Sequence, residues 1–265
     1  MNAIIVGADD LGLSPGVTRG ILDAHRDGVV RSTSLLVTFP GGQEAANLAR
    51  NEPGLEVGLH LDLVGGTPVT DRRRIPTLVG PDGRFHRLPQ FTTRLLTGRI
   101  NLTEVAIEVR AQVGRAREWG IDPRAWDSHR HTHLMPPLSR VVADIAREED
   151  VRYLRRARPP RFAATAKAGL LGAASIVSDL LARGVPGNDW FVDLTALPKR
   201  PDPASVALFA AYRGLGEIVA HPGHPDDALR ATGDSLVLRR FDDLAILTDP
   251  LVKSAFGDTI RWRVE

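Results

Sequence analysis

Short apolar runs alternate with amphipathic stretches along the whole chain. Ala3–Ala8 (AIIVGA) is the kind of continuous apolar run that forms a strand buried on both faces. Ser14-Pro15 then supplies an N-cap and a first-turn proline. Val17, Ile21 and Ala24 recur at helical spacing, and Gly28 closes the segment. The same reading predicts strands over Val29–Val37, Glu56–Val64, Ala125–His129, Val151–Leu154, Phe191–Leu194, Glu217–Ala220 and Ile260–Val264. It predicts helices over Gly42–Arg50, from an Asn101/Glu104 capping box to Gly120, and over Pro136–Glu149, Ala164–Arg183, Pro203–Tyr212, Phe241–Leu247 and Pro250–Phe256. Gly65–Pro89 reads as a polar loop. Within Glu56–Val64 the period is two. Val57, Leu59, Leu61 and Leu63 share one face; Gly58, His60 and Asp62 share the other.

Strands alternating with helices imply a parallel sheet with right-handed crossovers. The expected fold is α/β: an irregular, TIM-barrel-like (β/α) barrel with mostly parallel strands, built as one domain over residues 1–265. A doubly wound open sheet is the alternative. No glycine-rich phosphate loop follows the first strand, which weakens its nucleotide-binding version.

Composition narrows the class. The chain is 43% hydrophobic and 25% charged, with a net charge of +2, as in an ordinary globular protein. The arginine runs at Arg72–Arg74 and Arg155-Arg156-Ala157-Arg158 sit among interspersed acids, so nucleic acid is not an expected partner. No apolar run approaches the roughly eighteen residues of a membrane span, and the first residues lack a basic leader. With no cysteine, disulfides and thiolate metal sites are excluded, and a cytoplasmic location is expected. The apolar segment Ala164–Leu181 reads either as core or as the interface of a homodimer.

In a parallel α/β fold the functional site lies at the carboxyl ends of the strands. The polar residues there are Asp9 and Asp10 after the first strand, His60, then Asp127 and His129 with His131 and His133 beyond, Arg155, and His221. Each has a plain structural alternative: a helix cap for the aspartates, a satisfied core position for His60, a histidine-bearing loop for the others. If the chain stays extended after Asp127, the three alternating histidines face the same way. Two neutral imidazoles and a carboxylate suit Zn²⁺, Mn²⁺, Co²⁺ or Fe²⁺, and hold Mg²⁺ with several waters. The chemistry implied is metal-assisted hydrolysis. Hydrolysis of another amide or a phosphoester, and sugar binding without catalysis, are the competing readings.

Four segments carry a resemblance. Ala8-Asp9-Asp10-Leu11-Gly12-Leu13-Ser14, Gly58-Leu59-His60-Leu61, Asp127-Ser128-His129-Arg130-His131-Thr132-His133 and His221-Pro222-Gly223 resemble the YdjC/ChbG-type carbohydrate deacetylases, which include the hopanoid-associated HpnK branch. The resemblance implies removal of acetyl groups from N-acetylated sugars with a divalent ion, Mg²⁺ by family habit and Zn²⁺ as the alternative. Carried over by motif position, Asp10, His60 and His129 are metal ligands, Asp9 is the general base, and His221 assists the leaving amine. His131 and His133 fall in the pocket-lining part of the motif. Arg155 either orients Asp9 or holds substrate. Leu11 stands where Phe is usual, Asp62 replaces the more common Asn, and His224 adds an imidazole without a motif role.

Overall fold

The computed structural model describes residues 2–158, 176–181, 184–197 and 200–257. The expected strand Ile260–Val264 and most of the expected helix Ala164–Arg183, with the interface reading attached to it, lie outside them. Seven strands form one sheet: β1 (Asn2–Leu11), β2 (Ser32–Leu35), β3 (Glu56–Leu61), β4 (Ala125–Ser128), β5 (Tyr153–Leu154), β6 (Trp190–Asp193) and β7 (Gly214–Ala220). Their order is β5-β4-β3-β2-β1-β7-β6, and every pairing is parallel.

The sheet curls into a half-barrel, consistent with the irregular barrel expected. No strand ladder joins β5 to β6 among the described residues. Backbone bonds from Leu154 N to Pro186 O (2.9 Å) and from Phe191 N to Arg158 O (2.8 Å) bridge that seam.

The period-two reading sorts side chains onto the two faces. Ile4, Val6, Ala8, Leu59, Leu61, Trp126, Leu154, Val192 and Ile218 join the large cluster that packs against the helices. Ile5, Ala125 and Tyr153 form a separate apolar layer on the concave side. Further along the same inward columns the residues become polar: Asp9 on β1, His60 on β3, Asp127 on β4, Arg155 just after β5 and Glu217 on β7.

Helices follow the strands: α1 (Pro15–Arg26), α2 (Gly42–Arg50), α3 (Leu88–Leu96), α4 (Leu102–Glu118), α5 (Pro136–Glu148), α6 (Pro203–Ala207), α7 (Asp227–Thr232), α8 (Arg239–Leu247) and α9 (Pro250–Phe256). Ser14 caps α1 through its side chain, as its sequence predicts. Two helices lie outside the predicted set. α3 begins inside the expected polar loop, with Pro89 in its first turn. α7 is a six-residue helix between an Asp226 cap and left-handed Gly233. Pro203–Tyr212 is not one α-helix; after Ala207 it tightens to a 3₁₀ turn over Leu208–Ala211.

α4 has a second buried stripe beside its apolar one. Glu108 accepts backbone N–H groups of Val69 (3.0 Å) and Thr70 (2.9 Å). Glu104 accepts from Thr77 N (2.8 Å), and Gln112 exchanges two bonds with the Asp62 backbone. The loop after β3 is thereby pinned to a helix surface, and its buried amides are satisfied. Asp62 serves this loop: its carboxylate accepts from Thr38 Oγ1 (2.7 Å) and Val64 N (2.9 Å), and burial pushes its pKa up.

Candidate active site

Two adjacent aspartates on a regular strand would point to opposite faces. Here β1 gains one residue relative to β2 between Ala8 and Leu11, a bulge, and Asp10 takes a left-handed φ of 73°. Both carboxylates therefore enter one buried centre.

Asp10 Oδ1 lies 3.0 Å from His129 Nδ1 and 3.3 Å from His60 Nε2. The register pairs His60 with Asp127, and His60 Nδ1 lies 2.8 Å from Asp127 Oδ1. A carboxylate only accepts, so Nδ1 donates to Asp127, and Nε2 is the ring nitrogen that faces Asp10. Ser34 Oγ supports the pair, 3.0 Å from Asp127 Oδ2. Carboxylate behind the imidazole, with the far ring nitrogen turned to a second carboxylate, is the arrangement that orients a metal-ligating histidine.

Burial works to lower the pKa of His60, but Asp127 and Asp10 outweigh it and hold it well above the usual imidazole value. Burial likewise opposes the charge of Asp10, yet Arg240 and His129 keep it well below the carboxylate range. Asp10, His60 and His129 bring their ligand atoms within 4.8 Å of one another. Two imidazoles and a carboxylate whose ligand atoms converge in this way fit a divalent cation, which would displace the ring protons facing Asp10, and the donor set suits one with positions left for water.

Behind this trio, Arg155 is wholly buried against three carboxylates. It grips both oxygens of Asp9 (2.7 and 2.8 Å), reaches Asp127 Oδ2 at 2.6 Å, and donates to Glu217 Oε1 from Nε (3.0 Å) and Nη2 (2.8 Å). Tyr153 Oη donates to the other oxygen of Glu217 at 2.6 Å. Burial alone would lower the Arg155 pKa; Asp127, Asp9 and Glu217 raise it well above normal. Burial would raise Asp127, but Arg155 and His60 bring it down to about 2. Of the two sequence alternatives for Arg155, the geometry favours holding Asp9: at 1% exposure it has no surface to offer a substrate.

The three alternating histidines do not share a face. The chain leaves β4 as a 3₁₀ turn over His129–Leu134, with Arg130 and His131 left-handed. His129 turns to Asp10 and lines the cleft. His131 packs edge-on against Phe191, with Nε2 3.8 Å from Asp193 Oδ2. His133 is buried, and both ring nitrogens are engaged: Nε2 donates to Arg155 O (2.9 Å) and Nδ1 accepts from Ser128 Oγ (2.6 Å). It stands behind the site as part of the scaffold, not along the pocket wall.

Burial lowers the His133 pKa to about 3. The folded form thus resists a proton that the unfolded chain accepts near the ordinary histidine value. Its contribution to stability is whole above that value and is lost as pH falls toward about 3, at about 1.4 kcal/mol per pH unit. His133→Gln is expected to flatten the loss of stability between roughly pH 7 and pH 5. Urea unfolding at the two values checks it; an unchanged slope would argue against this assignment.

His221 follows β7 one position beyond the Ala8–Ala220 pair, which sets it beside Asp9 in the neighbouring strand. Its backbone N–H donates to Asp243 Oδ2 (3.0 Å), and its ring Nδ1 is buried with no hydrogen-bond partner. His224 instead ties the turn to α1, with Nε2 2.7 Å from Asp23 Oδ2. A cleft of about 490 Å³ opens over His129, between Phe39 and Val64, the 82–89 segment and residues 231–234. Sequence reasoning missed Ser34, Tyr153, Glu217 and Arg240. Only Glu217 left a trace, as a lone charge inside the apolar strand GLGEIVA.

Fold and site together define an α/β half-barrel protein with its polar centre at the carboxyl rim of a parallel sheet. The chain belongs to the YdjC-like protein family, whose pattern matches residues 3–258. A carbohydrate deacetylase of Brevibacillus brevis is 35% identical over 257 residues, 96% of this chain and 94% of that one. A chitooligosaccharide deacetylase of Yersinia pestis is 32% identical over 260 residues, again 96% and 94%. A solved structure from Enterococcus faecalis V583, provisionally named a cellobiose-phosphate cleavage protein, superposes with a TM-score of 0.84 at 28% identity, covering 99% of this chain and 98% of that one. No helix among the described residues is long and apolar enough to cross a membrane.

Proposed function

We propose that this protein is a metal-dependent N-deacetylase of N-acetylated carbohydrates, chitooligosaccharides or similar sugars, acting as one domain over residues 1–265. The observation that carries the reading is the Asp10–His60–His129 trio, with Asp127 behind His60 and Asp9 beside it in the clamp of Arg155. The names of the relatives support the sugar amide as substrate.

Asp10, His60 and His129 would hold a divalent ion, Mg²⁺ by resemblance or Zn²⁺, which would supply a more acidic water and polarise the acetyl carbonyl. Asp9 takes the proton of the attacking water on a carboxylate oxygen. The paired N–H···O bonds from Arg155 fix that carboxylate in orientation, so no rotation is needed as the proton moves. His221 delivers a proton to the departing amine nitrogen. Phe39 and Val64 give the sugar an apolar edge of the cleft to lie against, and burial of the centre keeps bulk water from competing.

Acetate release from N,N′-diacetylchitobiose and a panel of N-acetylated sugars tests this, before and after chelation and on return of single metals. Activity should vanish on metal removal and return with at least one divalent ion. Activity that survives complete removal, or turnover of phosphoesters alone, would sink the proposal.

A further inference from the structure

Arg240, the second residue of α8, has no exposed surface. Its Nη2 donates to Asp10 Oδ2 at 2.6 Å and its Nε to Asp234 Oδ2 at 2.8 Å, while Nη1 is buried with no partner. Its carbonyl accepts from Gly223 N at 3.1 Å, and a Cβ on Gly223 would meet Arg240 Cδ at 3.2 Å. One side chain thus sits among three parts of the site: the end of β1, the His221-Pro222-Gly223 turn and the cleft wall at Asp234.

The two oxygens of Asp10 are divided. Oδ1 faces His60 Nε2 and His129 Nδ1; Oδ2 faces Arg240. A carboxylate free at both oxygens can chelate a hard cation through both. One whose second oxygen already accepts from a rigid, permanently charged guanidinium is disfavoured from doing so, because the two cations repel and compete for that oxygen. Asp234 on Nε fixes the plane of the fork, so the guanidinium does not swing away from Asp10.

We propose that Arg240 is a positioning residue that confines Asp10 to one-oxygen ligation and so keeps coordination positions open for water and the substrate carbonyl. The inference rests on the cation-dependent reading above. Its corollary is that Arg240 weakens the hold on the cation, because it sets a positive charge beside the ligand, and in return preserves an open site.

The test is Co²⁺ titration followed by visible absorption, with kinetics and thermal melting alongside, on wild type, Arg240→Met and Asp234→Asn. Arg240→Met should bind Co²⁺ about threefold or more tightly than wild type, with a weaker visible band as coordination number rises. Its kcat should fall about tenfold or more while KM stays within about twofold. Asp234→Asn keeps an acceptor for Nε and should shift the same quantities in the same direction by less; it decides the matter if Arg240→Met does not fold. An unchanged band and affinity, or affinity that falls in step with melting temperature, would overturn the role and leave Arg240 a packing residue. If wild type itself shows no Co²⁺ band that His60→Ala removes, the cation reading fails and Arg240's role with it.

Discussion

His60→Ala is expected to lower kcat/KM for acetate release by about three orders of magnitude, with bound metal lost in parallel. His60 is the residue through which the centre is connected: Nε2 faces Asp10 and Nδ1 faces Asp127. Asp127→Asn keeps an acceptor for Nδ1–H but makes the imidazole a poorer ligand, and about a 10–100-fold loss is expected. His131→Ala should cost less than either, since that ring leans on Phe191 and Asp193 away from the trio. Steady-state kinetics with metal analysis of each variant gives the ranking. Equal losses for His60→Ala and His131→Ala would remove the basis for the ligand set.

The largest stability effect should come from Arg155→Met, about 3–5 kcal/mol at neutral pH. It strands Asp9, Asp127 and Glu217 in the interior without their shared cation. The deficit should have a definite pH dependence. In wild type, Asp127 sits at about 2, below its unfolded value, so its contribution is present above that value and lost as pH falls through about 2. Without Arg155, the buried carboxylates take up protons more readily than the unfolded chain does, and stability rises as pH falls. The gap between variant and wild type should therefore narrow between about pH 7.5 and about pH 5, read by urea midpoints. A gap that stays constant would mean the loss comes from packing rather than charge. Glu217→Gln in the variant should restore part of the deficit, since it removes one stranded acid.

Local pattern reached far into this fold. Gly42–Arg50 and Pro250–Phe256 coincide with their helices; the second starts on an Asp249 cap with Pro250 in its first turn and ends at Gly257. The facing of His60 away from Leu59 and Leu61 followed from strand periodicity alone; the strand ends at Leu61, and beyond it Asp62 turns to Thr38 and Val64. The site was legible where strand ends announce themselves with polar residues after apolar runs. Long-range partners left no such mark. Arg240 lies in the charged string RRFDD, where nothing local separates a buried arginine from a solvated one. The His129–His133 stretch misled for a different reason. Alternation has meaning only while the backbone is extended, and left-handed Arg130 and His131 break it.

Glu104, Glu108 and Gln112 form one polar, buried stripe on α4. Glu104, Glu108 and Gln112 hold the backbone of the loop from Asp62 to Thr77 at fixed points, so this stretch has little conformational entropy left to lose. Of the cleft lining, Val64 and Gly65 belong to this tethered stretch, so that part of the rim is set before any ligand arrives. The lining residues at Asp82–Pro89 lie beyond the tethers, so substitutions there are expected to reshape the cleft without loosening the stretch beneath them.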